Sequence, residues 1–268
     1  MAGRLGIVAC GGGLPVAIAA AHPEALRITL AGVPHDLGEQ VCELRLEKLG
    51  EIFEAFRNAG VDRVVLAGAL SRPVLDPEQF DDTMRLEAPR LMAAMKEGDD
   101  CLLRQVIDVF EKNGFQIVGA HELLPELPAP EGHLAGPPLT AQDQADAARA
   151  IEILMALATV DVGQGCAVAG GQCLGIETLQ GTNETLRFAG RTPSGLRRGF
   201  KGVYVKVAKR QQDLRVDMPV VGPETVAEVA AAGLSGLVIE AGRVMVLDRK
   251  KTLQAAENEG IFLSSRGL

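Results

Sequence analysis

The feature that most constrains the fold is a set of short apolar runs, several ended by glycine, that alternate with helical segments. Residues 5–9 form the first run and lead through three glycines into a helical pattern at residues 16–21. Residues 27–33 and 61–68 are further runs, and between them residues 49–59 place their apolar side chains on one helical face. Runs of this length are typical of buried parallel strands. The alternation therefore predicts an α/β fold.

The first glycine turn is a candidate anion site. Gly11 and Gly12 follow the first predicted strand, and Leu14 lies two residues before the predicted helix. Free backbone N–H groups at a helix N-terminus favour anionic ligands such as phosphate. The spacing does not match the GxGxxG pattern of dinucleotide-binding proteins, so a tight turn without a ligand is the alternative.

Two further polar groups lie where ligands bind in α/β proteins. Arg72 lies just beyond the predicted strand at residues 61–68, at the edge where open α/β sheets bind ligands. Gly98, Asp99 and Asp100 precede a segment with apolar residues at helical spacing. One aspartate is enough to cap that helix, which leaves the other for a ribose, a sugar hydroxyl or a metal ion. The alternative for Arg72 is a surface position without a ligand. The alternative for Asp99 and Asp100 is that both only cap the helix.

His121 and Glu122 follow a predicted strand at residues 115–118. Adjacent imidazole and carboxylate groups suit acid–base catalysis. A histidine at a strand end is more often structural, and that reading stays open.

A stretch rich in proline and glycine separates two predicted domains. Residues 125–139 contain five prolines and two glycines, a composition that favours neither a helix nor a central strand. We interpret it as a linker between an N-terminal domain at residues 1–124 and a C-terminal catalytic domain at residues 140–268. Thr140 and Asp143 then predict the start of a helix, in a pattern that resembles a capping box.

The C-terminal part is predicted to contain two hairpins. Residues 166–177 contain two apolar runs joined by a Gly-Gly turn, and residues 237–247 repeat this pattern around a second turn. Glu177 lies near the end of the first hairpin. Thr182, shortly after it, is a candidate cap for the next helix, whose N–H groups would then face an anion.

The most informative stretch is the basic segment at residues 197–215, which stands out against a net charge of −8. Asp217 follows it between Val216 and Met218, ahead of Pro219, a pattern that indicates a partly buried strand end. A carboxylate in such a place needs cations or hydrogen-bond donors, and this combination suits a site for phosphate and a metal ion. The alternative is a structural ion pair with a nearby arginine. The cations nearest to it in the sequence are Lys206, Lys209, Arg210 and Arg215.

Composition excludes several classes of protein. The negative net charge argues against broad nucleic-acid binding. Five scattered cysteines without a CxxC pair predict reduced thiols in a cytosolic protein. No apolar run approaches the roughly 20 residues of a membrane-spanning helix, and the N-terminal run is too short for a signal peptide.

Together, these motifs resemble the UDP-2,3-diacylglucosamine pyrophosphatase family of lipid A biosynthesis, of the LpxI type. The resemblance spans nearly the whole chain, and the motifs around Asp217 are the most specific. The matching positions are Leu14-Pro15 after the glycine turn, Ala67-Gly68 with Ser71-Arg72-Pro73, Gly98-Asp99-Asp100, Gly119-Ala120-His121-Glu122, Asp161-Val162-Gly163-Gln164-Gly165, Glu177 with Gly181-Thr182, and Lys206, Lys209, Gln212, Arg215, Asp217-Met218-Pro219 and Gly222.

The resemblance implies an N-terminal Rossmann-like domain and a C-terminal mixed α/β domain, with the substrate held between them. It implies Mg²⁺-dependent hydrolysis of the pyrophosphate bond by attack of water on the α-phosphorus, which gives UMP and 2,3-diacylglucosamine 1-phosphate. Asp217 matches the family's essential aspartate and is the predicted catalytic residue and Mg²⁺ ligand, with Glu177 as a second ligand. The predicted substrate contacts are Gly11, Gly12, Leu14, Arg72, Gly98, Asp99, Asp100, Gln164, Gly165, Thr182, Asn183, Lys206, Lys209, Gln212 and Arg215.

Three positions depart from the family pattern. Cys10 stands where glycine is usual, and Arg210 stands where proline is usual. Asn183 stands where an aspartate is usual, which weakens position 183 as a carboxylate ligand.

The alternative function is a Rossmann-type nucleotide or nucleotide-sugar binding protein, either an oxidoreductase or a regulatory module, based on the first glycine turn. A nicotinamide enzyme generally needs no magnesium for turnover, which separates the two functions. The resemblance further implies a lipid nucleotide-sugar substrate, no nucleic acid, and transient contact with the cytoplasmic face of the inner membrane. The oligomeric state stays open, with a homodimer as one option.

Overall fold

The computed structural model of the protein describes residues 3–70, 74–210 and 212–268. The chain divides into two compact units, a first unit of Met1–Pro125 with Asp213–Asp217 and a second unit of Glu126–Gln212 with Met218–Leu268. The segment that contains Asp217 therefore belongs to the first unit, although the sequence analysis placed it in the C-terminal domain. The predicted domain limits at residues 124 and 140 stay predictions.

The first unit is built on a parallel sheet. Its strands are β1 (Arg4–Ala9), β2 (Leu26–Leu30), β3 (Cys42–Leu44), β4 (Val61–Ala67) and β5 (Gln116–Ile117). Among the described residues they follow the order β3-β2-β1-β4-β5, and every neighbouring pair is parallel. This confirms the buried parallel strands predicted from the apolar runs, whereas the short β3 was not predicted.

An aromatic cluster forms part of the core of the first unit. The helices are α1 (Gly13–Ala21), α2 (Leu49–Asn58), α3 (Asp82–Glu97), α4 (Asp99–Lys112) and α5 (Ala120–Leu123), with a short 3-10 helix at Pro77–Gln79. The predicted face of α2 is confirmed, since its buried residues are Leu49, Ile52, Phe53 and Phe56. The Phe53 ring lies edge-on to Phe110, with 5.1 Å between ring centres, and stacks on Phe115 at 5.5 Å. Helix α2 is thereby packed against α4 and the residue that leads into β5.

The second unit contains a mixed sheet. Its strands are β6 (Gly132–Ala135), β7 (Gly165–Ala169), β8 (Gln172–Ile176), β9 (Val203–Lys206), β10 (Val220–Val221), β11 (Gly236–Glu240), β12 (Met245–Val246) and β13 (Phe262–Arg266). Six of them follow the order β6-β13-β11-β9-β7-β8. The central strands β13, β11 and β9 are parallel, and the outer pairs are antiparallel. The predicted hairpin at residues 166–177 is confirmed as β7–β8.

The predicted second hairpin at residues 237–247 is wrong. Strand β11 lies between β9 and β13, so neither of its edges is available to a returning strand. The chain leaves the sheet after β11, where Gly242 N donates to Ala129 O over 2.9 Å. Strand β12 pairs instead with β10 in a separate parallel sheet.

The structure also does not confirm a separate linker at residues 125–139. Gly132–Ala135 forms β6, an edge strand antiparallel to β13, and Pro128 makes an isolated bridge to Met245. The prolines flank β6 rather than interrupt it. An edge strand tolerates such neighbours because one side of its backbone needs no partner strand.

The helices of the second unit confirm one predicted cap. They are α6 (Ala141–Leu157), α7 (Gly181–Gly190), α8 (Pro223–Ala231) and α9 (Arg249–Glu259), with a short 3-10 helix at Ala158–Val160. At the start of α6, Asp143 N donates to Thr140 Oγ1 over 3.2 Å, and Thr140 N donates to Asp143 Oδ2 over 2.9 Å. The predicted capping box is therefore present.

The two other predicted caps, by Asp99 or Asp100 for α4 and by Thr182 for α7, are wrong. The N-cap of α4 is Gly98, and that of α7 is Gln180, and neither helix has a side-chain cap. Gly98 has a φ of 129° and joins α3 directly to α4, a sharp joint that favours glycine. Asp99 and Asp100 therefore lie inside the first turn, where their charges still favour the positive end of the helix.

Asp146 on α6 holds the turn between β7 and β8. Its side chain is 1% exposed and accepts hydrogen bonds from Gly170 N at 3.0 Å and Gly171 N at 2.7 Å. Gln142 Nε2 on the same helix donates a third bond, at 3.0 Å. Both glycines have positive φ, 54° and 76°. Their N–H groups lie in the turn and donate to Asp146 instead of to a carbonyl of the neighbouring strand. A buried carboxylate on the packed helix satisfies them.

We therefore expect Asp146→Ala to lower the free energy of unfolding by about 1–3 kcal/mol, because two turn N–H groups lose their acceptor. Urea unfolding followed by circular dichroism measures the change. Glu152→Ala on the exposed side of α6 is the matched control, with an expected change within about 0.5 kcal/mol. Equal effects of the two variants would show that Asp146 does not hold the turn.

Candidate functional site

The first glycine turn lies beside the end of β4. Gly11 N donates to Ala69 O over 3.1 Å, and Ala69 N donates to Gly11 O over 2.8 Å. Gly12, with a φ of 95°, is the N-cap of α1, and Leu14 lies in the first turn of that helix. A Cβ added at Gly12 would have no described atom within 4 Å, so the space beside it is open. The predicted strand, turn and helix are therefore present. The predicted contact Arg72 lies outside the described residues.

Gly68 allows the glycine turn after β1 to lie close to the end of β4. It has a φ of 97°, and a Cβ added to it would lie 2.6 Å from Gly11 O. A larger residue at position 68 would therefore push the glycine turn away from β4.

Arg215 is held by two carboxylates of the first unit. Asp213 accepts from Arg215 Nε at 3.0 Å and from Nη2 at 2.7 Å, and its Oδ1 also accepts from Arg215 N at 3.0 Å. Glu111 Oε1 on α4 accepts from Arg215 Nη1 at 2.8 Å. The hydrogen bonds that Arg215 donates lower the pKa of Asp213, and the acceptance of such bonds by Asp213 and Glu111 raises the pKa of Arg215. Asp213 and Arg215 are therefore both charged at neutral pH.

Asp217 closes the turn that begins at Asp213. Its N–H donates to Asp213 O over 3.1 Å, and its side chain is partly buried. Val216 packs against the core of the first unit, and Met218 is buried. The predicted partial burial is confirmed, but the predicted strand end is wrong, since Asp217 lies in a loop ahead of β10. Its backbone is still restrained on both sides.

His121 and Glu122 occupy separate environments. Glu122 Oε1 accepts from Gly119 N at 2.7 Å and so caps the short helix α5. His121 Nδ1 is buried without a hydrogen-bond partner among the described residues. A Cβ added at Gly119 would lie 2.4 Å from the His121 ring and 3.2 Å from Arg215 Cα. Gly119 thus lies between the histidine and the turn that carries Asp217, and the capping contact gives Glu122 a structural role.

The second unit contains a buried polar cluster of Glu177, Thr182, Tyr204 and Lys206, which we call the Glu177 cluster. Tyr204 Oη donates to Glu177 Oε2 at 2.9 Å, and Thr182 Oγ1 donates to Glu177 Oε1 at 3.1 Å. Lys206 Nζ donates to Thr182 Oγ1 at 2.5 Å and lies 3.6 Å from Glu177 Oε1. Burial, followed by the nearby Glu177 charge, raises the pKa of Tyr204. Thr182 thus bridges the carboxylate and the ammonium group instead of capping α7.

Gly165 is required by the close packing of the Glu177 cluster. A Cβ at this position would lie 1.8 Å from Tyr204 Oη and 2.4 Å from Glu177 Oε2. Gly165 O accepts from Glu177 N at 2.7 Å, and Gln164 O accepts from Val207 N at 2.9 Å. The Gln164 side-chain oxygen is buried without a hydrogen-bond partner among the described residues. The structure therefore brings five predicted site residues together, namely Gln164, Gly165, Glu177, Thr182 and Lys206.

Lys209 and Asn183 have other partners. Lys209 Nζ lies 2.5 Å from Asp161 Oδ1, and Lys209 N donates to Gln212 Oε1 at 3.0 Å. Asn183 Nδ2 donates to Glu224 Oε1 at 2.8 Å on the protein surface. Lys206, Lys209 and Arg215 thus each have an acidic partner.

The described residues contain no group of three or more His, Cys, Asp or Glu side chains arranged to hold a metal ion. Mg²⁺ keeps several waters and usually takes only one or two protein carboxylates, so the partly buried carboxylate of Asp217 fits such an ion. Glu177 differs, because both of its oxygens accept hydrogen bonds and an ammonium group lies beside it. Its role as a metal ligand stays a prediction, and its contacts favour a role as counter-ion to Lys206.

Sequence reasoning missed three residues of these networks, namely Tyr204, Asp161 and Glu111. Tyr204 is the single tyrosine of the chain and lies two residues before Lys206, on an otherwise apolar strand. That isolated polar group was the signal that a buried network surrounds the lysine. Asp161 and Glu111 gave no such signal, because each is distant in sequence from the cation that it binds.

Comparison with known proteins gives matches over both parts of the chain. The LpxI N-terminal domain model matches residues 4–127, and the LpxI C-terminal domain model matches residues 130–264. The UDP-2,3-diacylglucosamine pyrophosphatase LpxI of Caulobacter vibrioides is 36% identical over 270 residues, which cover 97% of this chain and 96% of the relative. With both domain models matched in order and the relative aligned almost from end to end, the chain belongs to the LpxI family.

Proposed function

We propose that this protein hydrolyses the pyrophosphate bond of UDP-2,3-diacylglucosamine and releases UMP and 2,3-diacylglucosamine 1-phosphate for lipid A synthesis. The observation that carries the proposal is the 36% identity with a UDP-2,3-diacylglucosamine pyrophosphatase over 97% of the chain. Both domain models match, so the matched residues include the turn that carries Asp217 and the Glu177 cluster.

The first unit supplies a Rossmann-like fold in this proposal. Its parallel strand order β3-β2-β1-β4-β5 is the order of nucleotide-binding α/β folds, with the glycine turn after β1. Open space beside Gly12 at the start of α1 suits the approach of a phosphate to backbone N–H groups. Gly11, Gly12 and Leu14 are the proposed contacts there.

Asp217 is the proposed catalytic residue and the protein ligand of Mg²⁺. Bound Mg²⁺ would neutralise part of the pyrophosphate charge and lower the pKa of a bound water. The protein's own contribution is to hold the Asp217 carboxylate in place through the turn hydrogen bond to Asp213 and the packing of Val216. A fixed carboxylate needs no rearrangement as the reaction proceeds.

The proposed phosphate-binding cations are Lys206, Lys209 and Arg215. Each has a carboxylate partner, Glu177, Asp161 or Asp213. These partners hold the cations in defined positions before substrate arrives, which reduces the entropy lost on binding. Lys206 is the most restrained of the three, because Glu177 and Thr182 fix its ammonium group inside the fold. Glu177 thus acts by positioning Lys206.

Asp217 gives the sharpest test. We expect Asp217→Asn and Asp217→Ala to lower turnover at least roughly 100-fold, as for loss of a central electrostatic group, while substrate binding is largely retained. The measurement is release of UMP from purified protein with UDP-2,3-diacylglucosamine, with and without Mg²⁺, together with ligand retained after gel filtration. Chelation of Mg²⁺ should abolish turnover of the unaltered protein.

Asp213→Asn is the matched control because it changes a carboxylate four residues away in the same turn. It should cost about 1 kcal/mol of stability through the weakened Arg215 pair. It should lower turnover far less than the Asp217 variants do, because Glu111 still holds Arg215. Near-normal turnover of Asp217→Ala, or turnover without Mg²⁺, would contradict the proposed mechanism.

Lys209 tests whether the cations act on the substrate. We expect Lys209→Ala to lower turnover at least about tenfold and to change stability by less than about 1 kcal/mol, because its ion pair is close to the surface. Asp161→Asn removes the same ion pair but keeps the cation, and asparagine tolerates the left-handed backbone at position 161, where φ is 52°. It should retain turnover within about threefold, because the cation remains and an ion pair close to the surface contributes little. Equal losses in both variants would make Lys209 a structural residue.

The proposal includes transient contact with an anionic membrane surface at the cytoplasmic face of the inner membrane. In the described part of the chain, no helix combines the length and apolarity that a bilayer crossing requires. Residues 185–212 contain eight Lys or Arg residues and no Asp or Glu. Leu196 is 67% exposed within this stretch, two residues before the exposed Arg198, whereas Arg197 between them is buried. Exposed apolar and basic groups together suit anionic lipid.

We expect the protein to sediment with vesicles that contain phosphatidylglycerol and not with vesicles of phosphatidylcholine alone. Leu196→Ser should weaken this binding on the order of fivefold, since a partly inserted leucine contributes about 1 kcal/mol. Leu86→Ser, at an equally exposed position on α3, is the control and should bind normally. Equal loss in both variants, or equal binding to neutral vesicles, would contradict the proposed surface.

A further inference from the structure

Two cysteines of the second unit lie in contact across the β7–β8 hairpin. Cys166 on β7 is fully buried, Cys173 on β8 is exposed, and their Sγ atoms are 3.9 Å apart. In the ladder Cys166 lies opposite Ile176, and Cys173 lies opposite Val168. The register shift between Ala167 and Val168 belongs to this part of the ladder. The pair is thus diagonal rather than directly opposed.

The surroundings of the two sulfurs differ. The hydrogen bond from the Cys166 thiol, assisted by Gly175 N–H and the charge of Arg149, lowers the pKa of Cys173 to about 6. The contact with Cys173 and burial together raise the pKa of Cys166. Near neutral pH the exposed sulfur is therefore largely a thiolate, which is the nucleophilic form, and the buried sulfur keeps its proton.

The other cysteines lack this combination. Burial raises the pKa of Cys10 to about 11, and the hydrogen bond to Glu97 raises the pKa of Cys101. Cys42 is partly buried on β3. Within the described residues, only Cys173 combines exposure, a lowered pKa and a second thiol in contact.

We propose that Cys173 and Cys166 form an oxidisable dithiol that reacts with a hydroperoxide. The Cys173 thiolate attacks one peroxide oxygen, the O–O bond breaks, and with one proton from solvent the products are a sulfenic acid and water. Cys166 then loses its proton and attacks the Cys173 sulfur, the S–S bond forms, and the hydroxide that leaves takes up a proton as water. In sum, two thiols and one hydrogen peroxide give one disulfide and two waters, and the two electrons pass from sulfur to oxygen.

Formation of the bond requires only a short movement. The sulfurs must close from 3.9 Å to about 2 Å, and the two strands are already hydrogen-bonded to each other. The same hairpin carries Gly165 at the start of β7 and leads directly from β8 into Glu177. The disulfide therefore ties together the strands that position the Glu177 cluster. The proposal does not depend on the hydrolytic function.

Mass spectrometry of the full-length protein after mild treatment with hydrogen peroxide at pH 7 tests the dithiol. We expect a product lighter by two hydrogen atoms, a peptide cross-link between positions 166 and 173, and full reversal by dithiothreitol. Cys101→Ser, which removes another partly exposed thiol, is the control and should form the same product.

Two variants separate the roles of the sulfurs. Cys173→Ser should give neither cross-link nor oxidation at Cys166. Cys166→Ala, whose fold is checked by circular dichroism, should leave a sulfenic acid on Cys173 that dimedone traps. It should also slow the reaction of Cys173 on the order of tenfold at pH 7, because the thiolate loses its donor. Oxidation of Cys42 or Cys101 ahead of Cys173, or conversion of Cys173 to a sulfonic acid without a cross-link in the unaltered protein, would overturn the proposal.

Discussion

Parallel pairing of neighbouring strands is the constraint on which the placement of polar residues depends. Parallel strands bring their carboxyl ends to one edge of a sheet, and the loops at that edge collect polar groups. In the first unit, the glycine turn follows β1, Gly68 follows β4 and His121 follows β5. In the second unit, Lys209 follows β9, and Glu240 at the end of β11 accepts from Ala208 N at 2.9 Å. Strand pairing alone thus brings together residues that are distant in sequence.

Charge compensation is the second requirement, because the protein buries cations inside an apolar framework. Lys206 lies on a strand that is buried on both faces, and an unpaired ammonium there would be unstable. Glu177 balances the charge, and Thr182 and Tyr204 satisfy the remaining hydrogen bonds. Removal of one partner from such a pair typically costs about 3–5 kcal/mol. The same carboxylates that stabilise the fold therefore set the positions of the cations offered to a phosphate.

Local rules made some features predictable, and distant pairing made others unpredictable. The apolar face of α2 and the box formed by Thr140 and Asp143 depend on residues within one or two helical turns, and both are confirmed. The hairpin predicted at residues 237–247 failed because two strands from elsewhere in the sequence occupy both edges of β11. Thr182 was taken for a cap because the position of Lys206 beside it is visible only in the folded chain. Asp217 was found through its neighbours in sequence, but its assignment to the first unit was not predictable from them.

We propose that this LpxI-family chain cleaves UDP-2,3-diacylglucosamine by attack of water on the α-phosphorus. Hydrolysis in water enriched in heavy oxygen, followed by mass spectrometry of both products, shows which phosphorus the water attacks. We expect the heavy atom in the phosphate of UMP and none in 2,3-diacylglucosamine 1-phosphate. Heavy oxygen in the lipid phosphate, or no cleavage by folded protein supplied with Mg²⁺, would contradict it.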